Sequence, residues 1–322
     1  MSGPSSRSIL ALAGGVGGAK LALGLAAVLP ADQLTVAVNT ADDFEHLGLY
    51  ICPDLDTVMY TLGGLANPET GWGRRDETWN VMGALGQVGG ETWFRLGDKD
   101  LATHLERTRR LRSGESLSSI IADLARRFGI APAVVPMCDQ PVRTMVRTDE
   151  GELAFQDWFV RQQCKPVVRA VRFAGIETAR PHPALRSFDG LRGVVFCPSN
   201  PFVSVAPILS VPDVRVALQR AKVPRIAVTP IVGGRAIKGP AAKMLAELGH
   251  DVSALGVAKY YQRLVDGFML DAQDAALKPE IEHLGLKVKV ADTMMRDDKD
   301  KRRVAEAAIE FMDEIAADGR HS

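Results

Sequence analysis

The chain has 322 residues, of which 46% are hydrophobic and 24% charged, an ordinary globular mix that is long enough to bury a large core. Lys plus Arg and Asp plus Glu are 39 each, and that balance excludes nucleic acid as the main ligand. Cys52, Cys138, Cys164 and Cys197 are widely spaced with no C-x-x-C pair, which excludes a disulfide framework and a cysteine zinc site.

The N-terminal stretch M-S-G-P-S-S-R is short and polar, and the apolar run after it is broken by glycines. We read neither a signal peptide nor a membrane span there and expect a cytoplasmic protein. Ser8 to Ala13 reads as a buried strand. Gly14, Gly15, Val16, Gly17 and Gly18 break it, and Ala19 to Leu29 is apolar nearly all round, as a buried helix would be. Leu34 to Asn39 is a second strand, which completes a β-α-β unit.

The stretch from Asn39 to Leu62 follows, with Asp42, Asp43, Glu45, Asp54 and Asp56. Its second half is a helix from about Leu55. Leu55, Val58, Met59 and Leu62 line one face, Asp54 stands in the N-cap position with Pro53 outside it, and Gly63-Gly64 closes the end. A short helix is expected over Asn80 to Gln87. Asp98 or Asp100 caps a helix running to about Arg112, and Ser116 to Phe128 is another helix. Pro132 to Cys138, Val142 to Arg147, Glu152 to Phe155 and Pro166 to Phe173 read as short strands, with a brief helix over Phe155 to Gln163.

The alternation of strand and helix resumes at Gly193 to Cys197 and the turn Pro198-Ser199-Asn200-Pro201. Further strands are expected at Arg225 to Ile231, Gly267 to Leu270 and Lys287 to Val290. The helices between and after them are Asp213 to Ala221, Pro240 to Leu248, Val257 to Leu264, Asp274 to Leu284 and Val304 to Ala316. This pattern predicts an α/β fold, Rossmann-like, with a doubly wound and mostly parallel sheet. We read residues 1–322 as one α/β domain of nucleotide-binding type, with an inserted α+β subdomain over 115–190.

Strand, glycine-rich turn and helix in succession place backbone N–H groups and a helix N-terminus against phosphate. The glycines match neither G-x-G-x-x-G nor a G-K-[ST] signature, which disfavours a nicotinamide dehydrogenase. The alternative is a tight turn that only lets helix and strand pack. Loops after neighbouring parallel strands share one crevice, so the acidic groups converge on that turn. Carboxylates beside phosphate oxygens are what Mg²⁺ binds, which makes Asp43, Asp54 and Asp56 candidate metal ligands. Asp54 and Asp56 also have plain roles in the first turn of a helix. His46 is a loop histidine within reach of the same stretch. Lys99 stands beside the expected helix N-terminus at Asp98 and Asp100. Ser199 and Asn200 follow a strand on the ligand-binding edge. Trp72, Trp79 and Trp93 are core residues or stacking surfaces for a flat ring.

Several long motifs in order resemble the 2-phospho-L-lactate transferase family of coenzyme F420 biosynthesis. They are A-G-G-V-G-G-A-K-L at 13–21, V-N-T-A-D-D at 38–43, C-P-D-L-D-T-V-M-Y-T-L-G-G at 52–64 and G-W-G-R-R-D-E-T-W-N at 71–80. L-G-D-K-D-L-A-T-H-L at 96–105, F-Q-D-W-F-V at 155–160, C-P-S-N-P-F-V-S-V-A-P-I at 197–208 and V-A-D-T-M-M at 290–295 continue the likeness.

The resemblance implies an Mg²⁺-dependent transferase. Its donor is a guanosine diphosphate ester carrying a 2-phospholactyl, phosphoenolpyruvyl or phosphoglyceryl group, its acceptor is the ribitol hydroxyl of the deazaflavin Fo, and GMP leaves. It implies Asp43 and Asp56 as catalytic residues and Asp43, Asp54 and Asp56 as metal ligands. Asp54, Asp56, Thr57 and Lys99 fall on the deazaflavin side, Lys99 standing where many members carry arginine. Gly14, Gly15, Gly17, Gly18, Lys20, Ser199 and Asn200 fall on the nucleotide and phosphate side. Tyr60 and the tryptophans are candidates to flank the ring. Small-molecule partners and a homodimer are implied, without nucleic acid or membrane. The alternative function on the same fold is a non-catalytic regulator that binds a sugar nucleotide.

Overall fold

Ile9–Ala13 is the strand on which the rest is assembled, because it is an inner strand of the sheet and none of its residues is more than 1% exposed. The computed structural model describes residues 8–318; the N-terminal stretch discussed above, Met1 to Arg7, lies outside the described residues. We call this strand β1. The other strands of the main sheet are β2 (Leu34–Val38), β3 (Ala133–Pro136), β4 (Gly193–Phe196), β5 (Arg225–Val228), β6 (Gly267–Asp271) and β7 (Lys287–Ala291). Their order is β7-β6-β5-β4-β1-β2-β3, and every pairing is parallel.

That order is a doubly wound sheet with one more strand at its far edge, and its direction of growth reverses between β1 and β4. Continuous apolar strands such as I-L-A-L-A suit burial on both faces. Ile9, Ala11 and Ala13 point into one apolar core, while Leu10 and Leu12 point into the other. The first core is closed by α1 (Gly15–Val28), α2 (Pro53–Leu62), α4 (Leu117–Arg127) and α5 (Asp298–Asp318). Helix α3 (Asp98–Arg112) lies beside the short strand Leu49–Ile51.

Several boundaries differ from the sequence expectation: the strand expected over Arg225 to Ile231 ends at Val228, the helix expected over Val257 to Leu264 is Ala254–Tyr261, Gly97 and not Asp98 or Asp100 caps α3, and four further differences have local reasons. Helix α1 starts at Gly15, so the glycines are its first turn and not a loop before it. Helix α2 starts at Pro53 behind Cys52, which places Asp54 inside the first turn and leaves its carboxylate free to reach other elements. Proline at the first helical position needs no hydrogen bond for its missing N–H. Helix α5 starts at Asp298, because the Asp297 side chain accepts from the Asp300 amide (2.8 Å) and acidic first-turn residues favour that end. The segment expected as an α+β insertion lends β3 to the main sheet. Its remaining strands, Arg143–Thr148, Gly151–Ala154 and Val168–Ala174, form a separate antiparallel sheet. That sheet is hooked to the acidic stretch by the Thr144 amide, which donates to the Ala41 carbonyl (2.6 Å). The acidic stretch itself folds back as a hairpin, Phe44–His46 against Leu49–Ile51, with Leu47 and Gly48 at positive φ.

Helices α1 and α5 cross at Gly24, where an added Cβ would collide with the Lys301 carbonyl group. Gly24→Ala is therefore expected to cost about 1–3 kcal/mol, read by chemical denaturation. Gly83→Ala is the control. Among the described residues, no atom outside its own helix backbone and chain neighbours lies within 4 Å of the Cβ it would add, and in a helix it should stabilise by up to about 1 kcal/mol.

Candidate functional site

The loops after β1, β2 and β4 meet at the carboxyl edge of the sheet, where its strand order reverses. Close packing explains most of the glycines. A Cβ at Gly17 would collide with the Pro198 carbonyl oxygen, and one at Gly18 would lie 2.5 Å from Ser199 Oγ. A Cβ at Gly14 would lie 2.5 Å from Asp54 Oδ2. The Gly14 amide donates to Ser199 Oγ (3.2 Å) and the Gly15 amide to Asp54 Oδ1 (2.8 Å). No hydrogen bond occupies the Val16 and Gly17 amides among the described residues. These two first-turn donors of α1 remain for a ligand.

Asp54 thus ties α2 to α1. Its Oδ2 accepts from Asn39 Nδ2 (2.9 Å), and Asn39 Nδ2 also donates to the Val203 carbonyl (3.0 Å). Asp42, Asp43, Asp54 and Asp56 are all at most 8% exposed. Burial disfavours each charge. Burial, then the neighbouring Asp54, pushes Asp42 well above the ordinary carboxylate range. Burial raises Asp54 to about 6 against the pull of Asn39 and the Gly15 amide. Asp43 is raised to about 8, again by burial, although the Cys52 thiol, Arg143 and Arg107 all act to lower it. Neither oxygen of Asp43, nor Oδ1 of Asp42, has a hydrogen-bond partner among the described residues. Buried carboxylate oxygens without partners, all of them hard donors, fit either a divalent cation or a proton taken from a substrate.

Asp56 is placed differently. Arg107 of α3, itself fully buried, forks onto it, with Nη1 to Oδ2 at 3.0 Å and Nη2 on Oδ1. His104 Nδ1 is 3.6 Å from Asp56 Oδ2. Burial raises the Asp56 carboxyl and Arg107 opposes that shift. Thr57 is buried beside it in the first turn of α2.

The N-terminus of α3 holds a carboxylate of the protein itself. The Lys99 amide donates to Glu77 Oε2 (2.9 Å) and the Asp100 amide to Glu77 Oε1 (2.8 Å), while the exposed Lys99 ammonium reaches the Arg75 carbonyl (3.3 Å). Lys20 turns its ammonium to the Met295 carbonyl (2.8 Å), on the α5 side of α1. Asn200 Oδ1 accepts from the Phe202 amide (2.9 Å), so it caps the turn that follows it. His46 is nearly buried and lies edge-on to Trp93, with ring centroids 5.0 Å apart. Trp72 and Trp79 line a surface cavity that also reaches Asp100.

Asp54, Gly14, Gly15, Gly17, Gly18 and Ser199 are therefore brought together, while Asp43 lies in the field of Arg107, Arg143 and Asp56. Asp56, Thr57 and Lys99 gather at α3, and Lys20 and Asn200 turn to structural partners. Asn39, Asp42, Asp100, His104, Arg107 and Arg143 are contributors that the sequence reading did not select. Asp100, His104 and Arg107 are spaced i, i+4 and i+7, which puts them on one helical face.

The family described as 2-phospho-L-lactate transferase CofD matches residues 9–311. The chain is 40% identical over 316 residues to a phosphoenolpyruvate transferase of Streptomyces griseus, covering 96% of this chain and 99% of that one. It is 39% identical over 308 residues to a 2-phospho-L-lactate transferase of Methanosarcina acetivorans, covering 95% and 100%. Among solved structures it resembles a UPF0052 family protein from Bacillus halodurans with a TM-score of 0.60 and 14% identity, over 95% of this chain and 99% of that one. That likeness concerns the fold. Among the described residues no single helix is long and apolar enough to cross a membrane.

Proposed function

The chain belongs to the 2-phospho-L-lactate transferase family, and we propose that it moves a phospho-carboxylate group from a guanosine diphosphate ester to the ribitol hydroxyl of the deazaflavin Fo, in coenzyme F420 biosynthesis. The acceptor oxygen bonds to the phosphorus that bears the carboxylate part. The bond from that phosphorus to the bridging oxygen breaks, and GMP leaves with the electron pair. Such a displacement needs in-line placement and neutralised charge more than covalent help.

The observation that carries this reading is the buried carboxylate set beside the two open amides of α1. Asp42 and Asp54, the second of which adds to the cost of charging the first, are the pair we assign to Mg²⁺. The carboxylate of Asp54 keeps lone pairs beyond those given to Gly15 and Asn39. Mg²⁺ bound there would neutralise charge on the diphosphate. The Val16 and Gly17 amides take a phosphate oxygen of the donor. Asp43 accepts the hydroxyl proton, since its oxygens are unpartnered and its carboxyl, raised to about 8, suits a base working near neutral pH. Asp43 is faced by Arg143 and Arg107, which suits a base better than a cation ligand.

The chain is nearly equally identical to a phosphoenolpyruvate and to a phospholactate transferase, so the test runs the donors in parallel. Purified protein is mixed with Fo, Mg²⁺ and each guanosine diphosphate ester, and GMP and the new phosphodiester are followed by chromatography. One ester should give both products in equal amounts and chelation of Mg²⁺ should stop them. No product with any ester, together with tight binding of a sugar nucleotide, would overturn the reading in favour of a non-catalytic regulator.

A further inference from the structure

Helix α3 buries a charged set that the reaction above uses only in part. Asp100, His104 and Arg107 on its inner face meet Asp56 and Tyr60 of α2. Arg107 is on Asp56, while His104 stands between the two carboxylates, with Nδ1 3.6 Å from Asp56 and Nε2 3.3 Å from Asp100 Oδ1. The Tyr60 hydroxyl donates to Asp100 Oδ1 (2.6 Å). Tyr60, His104 and Arg107 are at most 1% exposed. Apolar side chains would join two helices with a smaller desolvation penalty, so the set has a purpose besides packing.

Its geometrical result is one carboxylate with a single free oxygen. Asp100 Oδ1 is occupied by Tyr60 and faced by His104. Asp100 Oδ2 carries no hydrogen bond among the described residues, and Asp100 lines the cavity shared with Asn67, Arg74, Glu77, Trp72 and Trp79. Burial works to raise the Asp100 carboxyl, but His104, Tyr60 and Arg107 outweigh it and hold it below the ordinary range. An ionised acceptor at the rim of a shallow hollow flanked by Trp72 and Trp79 can take a hydrogen bond from an N–H or O–H on the edge of a planar heterocycle lying across it.

We infer that Asp100 is the residue that selects the acceptor's ring, its free Oδ2 accepting a hydrogen bond from a donor on the ring's edge, with His104 and Tyr60 as positioning residues. This rests on the reading that the acceptor is a deazaflavin. The two edge donors such a ring offers are its imide N–H and its ring hydroxyl. A ring without the right donor leaves this ionised, part-exposed acceptor without its partner in the complex, and such a mismatch discriminates against that ring.

The test is equilibrium dialysis of the full chain against Fo, with GDP binding measured in parallel. The proteins are wild type, Asp100→Asn and His104→Gln, and wild type and Asp100→Asn are also run with imide N-methylated and ring O-methylated Fo. Asp100→Asn should weaken Fo at least about tenfold and leave GDP affinity unchanged. One methylated compound should be weakened by a similar factor against wild type and not further against Asp100→Asn, which identifies the edge donor. His104→Gln should raise KM for Fo with little change in kcat. Equal Fo affinity in wild type and Asp100→Asn would overturn the inference, as would wild type binding both methylated compounds as tightly as Fo. A parallel fall in Fo and GDP affinity in Asp100→Asn would show a structural role and overturn it too. Wild type that binds GDP but not Fo would overturn the proposed acceptor, and this inference with it.

Discussion

Asp43→Asn is expected to lower kcat about a thousandfold or more, as the loss of a positioned base does, while Mg²⁺ still binds and the protein still folds. The asparagine keeps the size of the side chain and removes its ability to take the hydroxyl proton. Single-turnover GMP release and isothermal titration with Mg²⁺ separate the two effects. A variant with wild-type turnover would show that the proton goes elsewhere.

The same substitution carries a pH signature whose sign follows from burial. The Asp43 carboxyl is raised to about 8 in the folded protein, against about 4 in an unfolded chain. The folded state therefore holds this proton where the unfolded state has released it. This group's contribution to stability is fully present below about pH 4 and is lost progressively as pH rises from about 4 to about 8. Asp43→Asn lacks that loss. Its denaturation midpoint should exceed the wild-type one at pH 8 and approach it near pH 5. Parallel curves for the two proteins across that range would contradict the assigned shift.

The architecture was legible in the sequence because its signals are local. I-L-A-L-A and L-T-V-A-V are apolar without a break, and only strands buried on both faces need that. The glycines and acidic residues after them lie next to those strands in the chain, so parallel topology alone brings them to one edge. Missed contributors depend on contacts between distant segments. Asp54 looked like the cap of its own helix, yet its oxygens go to Gly15 and Asn39, and no spacing rule encodes a bond across 39 residues of chain. Lys20 stands in the glycine motif, and the contact of its ammonium with the Met295 carbonyl, from 275 residues away, is not encoded there. Glu77 was unremarked because nothing in G-R-R-D-E-T marks it as the carboxylate seated on α3. Asp100, His104 and Arg107 did carry a signal. Three charged or titratable residues at i, i+4 and i+7 on a helix otherwise read from its cap form a polar stripe. Such a stripe is solvated or, as here, turned inward to pair.

The pairing of Asp56 with Arg107 carries the second large effect. Arg107→Met removes the guanidinium and leaves a buried carboxylate whose two oxygens have lost their donors. Breaking one side of a buried pair costs about 3–5 kcal/mol, a large share of the 5–15 kcal/mol by which a typical protein is folded. Replacing both partners, as Asp56→Leu with Arg107→Met, removes the stranded charge. That double variant should recover most of the loss, because apolar groups of similar volume satisfy the same contact. Denaturant titration of the two single variants and the double gives the coupling. The result also decides what Asp56 is for. If Asp56, whose two oxygens are taken by Arg107, serves as that arginine's counter-ion, Asp56→Asn should reduce stability while Mg²⁺ affinity stays at the wild-type value. If Mg²⁺ affinity collapses in Asp56→Asn and stability does not, Asp56 is a cation ligand, and Arg107 must move aside when the metal binds.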